Sequence, residues 1–123
     1  EVSAIIKACQ NPRHRTMLLV CYGCGLRVSE LVALKVQHID KERHLLRIQQ
    51  GKGAKDRMVI LSDTLLEHLD HYWQTYLPAQ WLFPNTQHPE RALTITTIQK
   101  AFTVAKRKAR VNRVGGIHGL RHA

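Results

Sequence analysis

Acidic residues are scarce in this 123-residue chain: 9 Asp and Glu stand against 19 Lys and Arg, a net charge of +10. That balance points to a polyanionic partner, most often nucleic acid. Cysteine is also sparse. Cys9, Cys21 and Cys24 make an odd set with no disulfide-rich spacing, as in proteins of a reducing cytosol. No apolar run approaches the roughly 20 residues that cross a bilayer, so no membrane partner is expected. No signal-peptide pattern, internal repeat, linker or low-complexity segment is visible. With 44% hydrophobic residues, the chain still has enough apolar material for a globular core.

A metal centre finds little support. Cys21 and Cys24 form C-x-x-C, but a zinc site needs a second ligand pair and no second C-x-x-C exists. The sequence before the pair reads as helix, so a thioredoxin-like βαβ setting is missing too. Both sulfurs are expected at the packed end of a helix. His118 and His122 stand at i, i+4, the zinc spacing of H-E-x-x-H, yet Gly119 occupies the place of the Glu. His68 and His71 are expected on the solvent side of an amphipathic helix.

The remaining pattern predicts an α+β fold, mainly α, with a small three-stranded antiparallel sheet. Residues 2–9 read as a short helix. Asn11-Pro12 then starts a second, with Asn as N-cap and Pro at the first helical position. It is apolar on nearly every side from Met17 to Tyr22, and Gly23 and Gly25 are expected to stop it. "LRVSELVALK" restarts a helix with Leu31 and Leu34 inward. Three extended pieces follow at 36–39, 45–50 and 57–62, the last two joined by "GKGAKD" as a hairpin. Ser62 caps the helix "DTLLEHLDHYWQTY". Its inward stripe is Leu65, Leu66, Leu69, Tyr72, Trp73 and Tyr76, and Pro78 ends it. "WLFPN" crosses as a buried strand or loop. Thr94 or Thr96 opens a last long helix to about Arg110, with Ile95, Ile98, Phe102, Ala105 and Ala109 inward.

Several basic residues sit where a phosphate could be held. Arg27 follows a glycine turn in "GCGLRVSEL", at a helix start, with Glu30 three residues on. Glu30 is either a plain surface ion-pair partner or the group that orients the Arg27 guanidinium toward a phosphate. Lys52 lies between two glycines at a hairpin tip, where a backbone can approach a ligand. "HGLRH" offers His118 and Arg121 at i, i+3, opening a helix. Lys106, Arg107, Lys108 and Arg110 form a basic run in the C-terminal half of the long helix, which suits its dipole and DNA alike.

Taken in order, "GLRVSEL", "GKGAKDR", "LFP" and "HGLRH" resemble the catalytic domain of the tyrosine recombinases, the phage-integrase and Xer-like family, over nearly the whole chain. The resemblance implies a helical domain of the DNA breaking-rejoining type. It implies two phosphate-clamping arginines, Arg27 and Arg121. It makes Lys52 the general acid for the leaving 5′-oxygen, with Lys55 as the rival, and His118 an acid/base and phosphate ligand. Glu30 matches the supporting acidic position. Lys55, Arg57, Lys106, Arg107, Lys108 and Arg110 are expected DNA contacts. The family's nucleophile is a tyrosine that attacks the phosphate to leave a 3′-phosphotyrosyl link, and no cofactor is needed.

That tyrosine follows the H-x-x-R helix in the family, and nothing at that place is present here. Tyr22, Tyr72 and Tyr76 are expected to be core aromatics instead. The chain begins at Glu1 within helix-like sequence and stops at Ala123 without a closing turn. Residues 1–123 are therefore expected to be part of a catalytic domain, without the family's N-terminal DNA-clamping domain and C-terminal tyrosine segment. The partner implied is double-stranded DNA in the bacterial cytoplasm, at the nucleoid, with the whole protein a tetramer. The rival readings are a DNA-binding module that kept the fold without catalysis, a type IB topoisomerase-like enzyme, and a zinc protein.

Overall fold

The computed structural model describes residues 6, 7, 9–49 and 55–109. Expectations for residues 1–5, 8, 50–54 and 110–123 lie outside the described residues.

Helix α1 (Pro12–Cys24) begins as its sequence requires. The Asn11 carboxamide oxygen accepts from the Arg13 N–H at 2.9 Å and the His14 N–H at 3.3 Å, and Pro12 occupies a position whose N–H would have no partner. Met17, Leu18, Val20, Cys21 and Cys24 are buried, while Tyr22 is 41% exposed. Gly25 ends the helix at φ 63°, with the Leu26 N–H reaching back to the Cys21 carbonyl at 3.0 Å. Gly23 does not stop the helix, contrary to expectation. It lies within α1, and a Cβ there would come to 3.3 Å of Leu65 Cδ2, so its role is close helix packing.

Helix α2 (Val28–Val32) is shorter than its sequence predicts, and Leu34 is buried just beyond it. The expected strand at 36–39 is mostly a 3₁₀ turn, Val36–His38. The cause is local: buried His38 accepts the Lys35 N–H through Nδ1 at 3.0 Å and closes the turn. Burial, with the charges of Arg47 and Lys35, holds its imidazole below the usual range.

Strands β1 (Ile39–Asp40), β2 (Leu45–Ile48) and β3 (Arg57–Ile60) form the expected antiparallel sheet in the order β1-β2-β3. The register pairs Leu45 with Ile60 and Ile48 with Arg57. Leu46 and Ile48 face the core; Met58 and Ile60 on the edge strand face outward.

Helix α3 (Asp63–Tyr76) takes its cap from Ser62, whose Oγ accepts from the Leu65 N–H at 3.1 Å. Leu65, Leu66, Leu69 and Tyr72 are buried, but Trp73 and Tyr76 lie at the rim, 39% and 41% exposed. Leu77 closes the helix in the left-handed region at φ 47°, and Pro78 follows. The "WLFPN" crossing then runs beneath α3 with Leu82 and Phe83 buried, its main chain bonded to Leu34 and Leu93. Helix α4 (Ile95–Ala109) opens after Thr94, whose hydroxyl accepts the Thr97 N–H at 3.3 Å. Ile98, Phe102 and Ala105 enter the core, and Ile95, expected inward, is 39% exposed because it sits in the first turn beyond the packed stripe. Helices α1 to α4 and strand β2 all contribute to one core cluster.

Candidate phosphate site and nucleic-acid interface

The turn between α1 and α2 places Arg27. Left-handed Gly25 reverses the chain, buried Leu26 plugs it into the core, and Arg27 follows in extended conformation at φ −75°, ψ 155°. Glu30, one turn into α2, accepts the Arg27 N–H through Oε1 at 2.8 Å. The Arg27 side chain is exposed, and its positive charge acts on the Glu30 carboxylate three residues on. It is a guanidinium on a fixed stem, open to an anion. With five residues, α2 is too short for its dipole to add much, so the site rests on the guanidinium.

Glu30 does not orient that guanidinium by a direct bond. Its carboxylate takes the guanidinium of Arg57 on β3, with Nη1 to Oε2 at 3.0 Å and Nη2 to Oε1 at 3.3 Å. Arg57 also reaches the Gly25 carbonyl at 3.5 Å. Burial pushes the Glu30 carboxyl up. The Arg27 N–H, the Arg57 hydrogen bonds and the two positive charges together outweigh it and hold the group below the usual carboxylate range. Arg57, expected on DNA, is paired with Glu30, with its side chain 37% exposed. Only the fold shows the carboxylate that Arg57 pairs with.

Lys55 and Asp56 precede β3 and are exposed. On α4, Arg107 and Lys108 are exposed and Lys106 half-buried; Lys108 donates to the Gln10 carboxamide at 3.0 Å. Two other basic residues are structural. Arg13 is buried beside Tyr72, and Arg15 donates to the Cys9 carbonyl at 2.8 Å and 3.2 Å. Lys52, Arg110, His118 and Arg121 lie outside the described residues, so the structure places only Arg27 and Glu30 of the expected catalytic set.

The cysteine pair is packed, as its sequence predicts. Cys21 donates to the Leu26 carbonyl at 3.3 Å, and burial pushes the Cys24 thiol up to about 11. His68 and His71 are exposed on α3. Among the described residues no three His, Cys, Asp or Glu side chains gather as a metal site. No helix among them is long and apolar enough to cross a membrane.

A mainly helical domain with a three-stranded antiparallel sheet, built around this turn, is the architecture of a recombinase catalytic core. The crystal structure of XerA recombinase superposes on 98% of this chain, and on 44% of its own, with a TM-score of 0.87 at 26% identity. The sequence model of the Phage integrase family matches residues 1–123, and the chain belongs to that family. A Sinorhizobium fredii protein bearing an integrase/recombinase name is 40% identical over 100% of this chain and 40% of its own length. Tyrosine recombinase XerC of Proteus mirabilis is 36% identical over 90% of this chain and 37% of its own. The chain spans about half or less of the length of these relatives.

Proposed function

We propose that residues 1–123 form part of the catalytic domain of a site-specific tyrosine recombinase that cuts and rejoins double-stranded DNA. The observation that carries this reading is Arg27: an exposed guanidinium on a turn locked by Gly25, Glu30 and Arg57, in a chain of the Phage integrase family. A phosphodiester gathers negative charge on its non-bridging oxygens as it is attacked, and a positioned guanidinium meets that charge through two parallel N–H donors. Because Glu30 fixes the main chain of Arg27, little reorganisation is left to the moment of reaction.

Arg121 is proposed as the second clamp and His118 as its acid/base partner. Lys52 would protonate the leaving 5′-oxygen, with Lys55 as rival. Lys106, Arg107, Lys108 and Arg110 would track the DNA backbone. The nucleophile is a tyrosine other than Tyr22, Tyr72 and Tyr76, and the phosphotyrosyl bond stores the energy for rejoining without a cofactor. The whole protein would act as a tetramer on DNA at the nucleoid.

Arg27→Ala in the whole protein tests this. Cleavage should fall by ~10²–10³-fold, the loss typical of one transition-state donor, while most DNA binding survives. Recombination at the normal rate would overturn the assignment. A variant that binds DNA normally in a protein that never cleaves any duplex would favour the non-catalytic binding module.

A further inference from the structure

We propose that Arg57 is a positioning residue: it sets the Arg27 turn through Glu30 and is withheld from DNA. The inference rests on the recombinase reading above and assigns a role to a residue that its sequence context places among the DNA contacts.

The geometry is specific. Arg57 stands at the start of β3, opposite Ile48 of β2. Both of its terminal nitrogens are committed, Nη1 to Glu30 Oε2 at 3.0 Å and Nη2 to Glu30 Oε1 at 3.3 Å, with the Gly25 carbonyl at 3.5 Å. The same Oε1 accepts the Arg27 N–H at 2.8 Å. One carboxylate oxygen therefore joins the strand's guanidinium to the main chain of the proposed clamp. The Glu30 side chain is only 10% exposed and that of Arg57 is 37%. For Arg57 to swing onto a phosphate, the nearly buried Glu30 carboxylate would lose its guanidinium partner and keep only the Arg27 N–H, which is unfavourable. Arg57 stays with Glu30 when DNA arrives.

Two consequences follow. The latch ties β3 to both ends of the turn, Gly25 before Arg27 and Glu30 after it. In sequence, residues 49–56 lie between β2 and β3, and Lys52 is five residues before Arg57. A lysine at position 57 could keep the charge but not the two-pronged geometry.

The test uses the whole protein and a duplex that the wild-type protein selects from a random-sequence pool, nicked to trap cleavage. Binding is measured against salt concentration, and single-turnover cleavage at saturating DNA, at a temperature where circular dichroism shows each variant folded. Arg57→Ala should keep the wild-type salt dependence and DNA affinity while cleavage slows on the order of 10²-fold. Arg57→Lys should recover part of the rate. Arg57→Ala combined with Glu30→Gln should be no slower than the worse single variant, because both break one latch. Arg107→Ala serves as the phosphate-contact control, with a salt slope lowered by about 1.

A salt slope lowered equally by Arg57→Ala would overturn the proposal, as would unchanged cleavage or additive losses in the double variant. If the wild-type protein cleaves no selected duplex, the recombinase reading fails and the catalytic role of Arg57 fails with it. The salt slope then still decides whether Arg57 is withheld from DNA.

Discussion

The Tyr72 hydroxyl donates to the Leu82 carbonyl at 2.6 Å, fastening α3 to the buried crossing that passes beneath it. Tyr72 is 1% exposed and meets Phe83 in a tilted arrangement at a ring separation of 5.2 Å. Burial pushes its phenol up, against a smaller opposing effect of Arg13. Tyr72→Phe leaves the Leu82 carbonyl unsatisfied and should destabilise the fold by ~1–2 kcal/mol. The check is the urea midpoint; an unchanged midpoint would show that the hydrogen bond contributes nothing.

Tyr22 and Tyr76 are both 41% exposed, so they are not core aromatics, and the sequence expectation is corrected for these two. Neither is proposed as the nucleophile. In the whole protein, Tyr22→Phe and Tyr76→Phe should each still yield the covalent protein–DNA adduct. Residues 1–123 alone should yield none. Labelled DNA retained by the 123-residue chain on a denaturing gel would sink this prediction.

Gly25 tests the turn itself. Its φ of 63° suits glycine, and an added Cβ would meet nothing within 4 Å, so any penalty comes from the backbone. Gly25→Ala should cost ~1–2 kcal/mol with little change in core packing. Gly23→Ala instead meets Leu65 Cδ2 at 3.3 Å inside a helix, where the propensity gain of alanine offsets part of the crowding. Thermal unfolding of the two variants should rank Gly25→Ala as the more damaging.

The Glu30 carboxyl is held below its usual range, so it binds a proton less readily folded than unfolded. Its stabilisation is complete above the unfolded carboxylate pKa of about 4.3. It is lost as pH falls through the lower folded value. Glu30→Gln should be less stable than wild type at pH 7, and the gap should close progressively below pH ~4. A gap that stays constant from neutral pH to acid would show that the charged pair with Arg57 does not matter.

Binding of the chain to duplex DNA should weaken steeply with salt, since phosphate contacts release counterions. Removing Arg107, exposed on α4, should reduce the slope of log affinity against log salt by about 1. A slope near zero for the wild-type chain would argue against phosphate tracking altogether.

Much of this molecule is determined locally and was readable from residues alone. Asn11-Pro12, Gly25, Ser62 and Pro78 set helix ends through backbone groups within a few residues of themselves. The leucines of α3 and the spacing of Ile98, Phe102 and Ala105 chose their buried faces by period. The motif order around Arg27 named the family before any contact was visible. What the tertiary structure decided depends on residues distant in sequence. Gly23 packs inside α1 because Leu65 of another helix lies against it. Trp73, Tyr76 and Ile95 fall outside the core because the apolar stripe is wider than the surface that meets it. Above all, Glu30 has an arginine three residues before it and another 27 residues after it, and spacing alone favours the nearer. The fold brings β3 against the α1–α2 turn, where burial makes the carboxylate need a two-pronged partner. Arg57 supplies it, and the Arg27 side chain stays exposed.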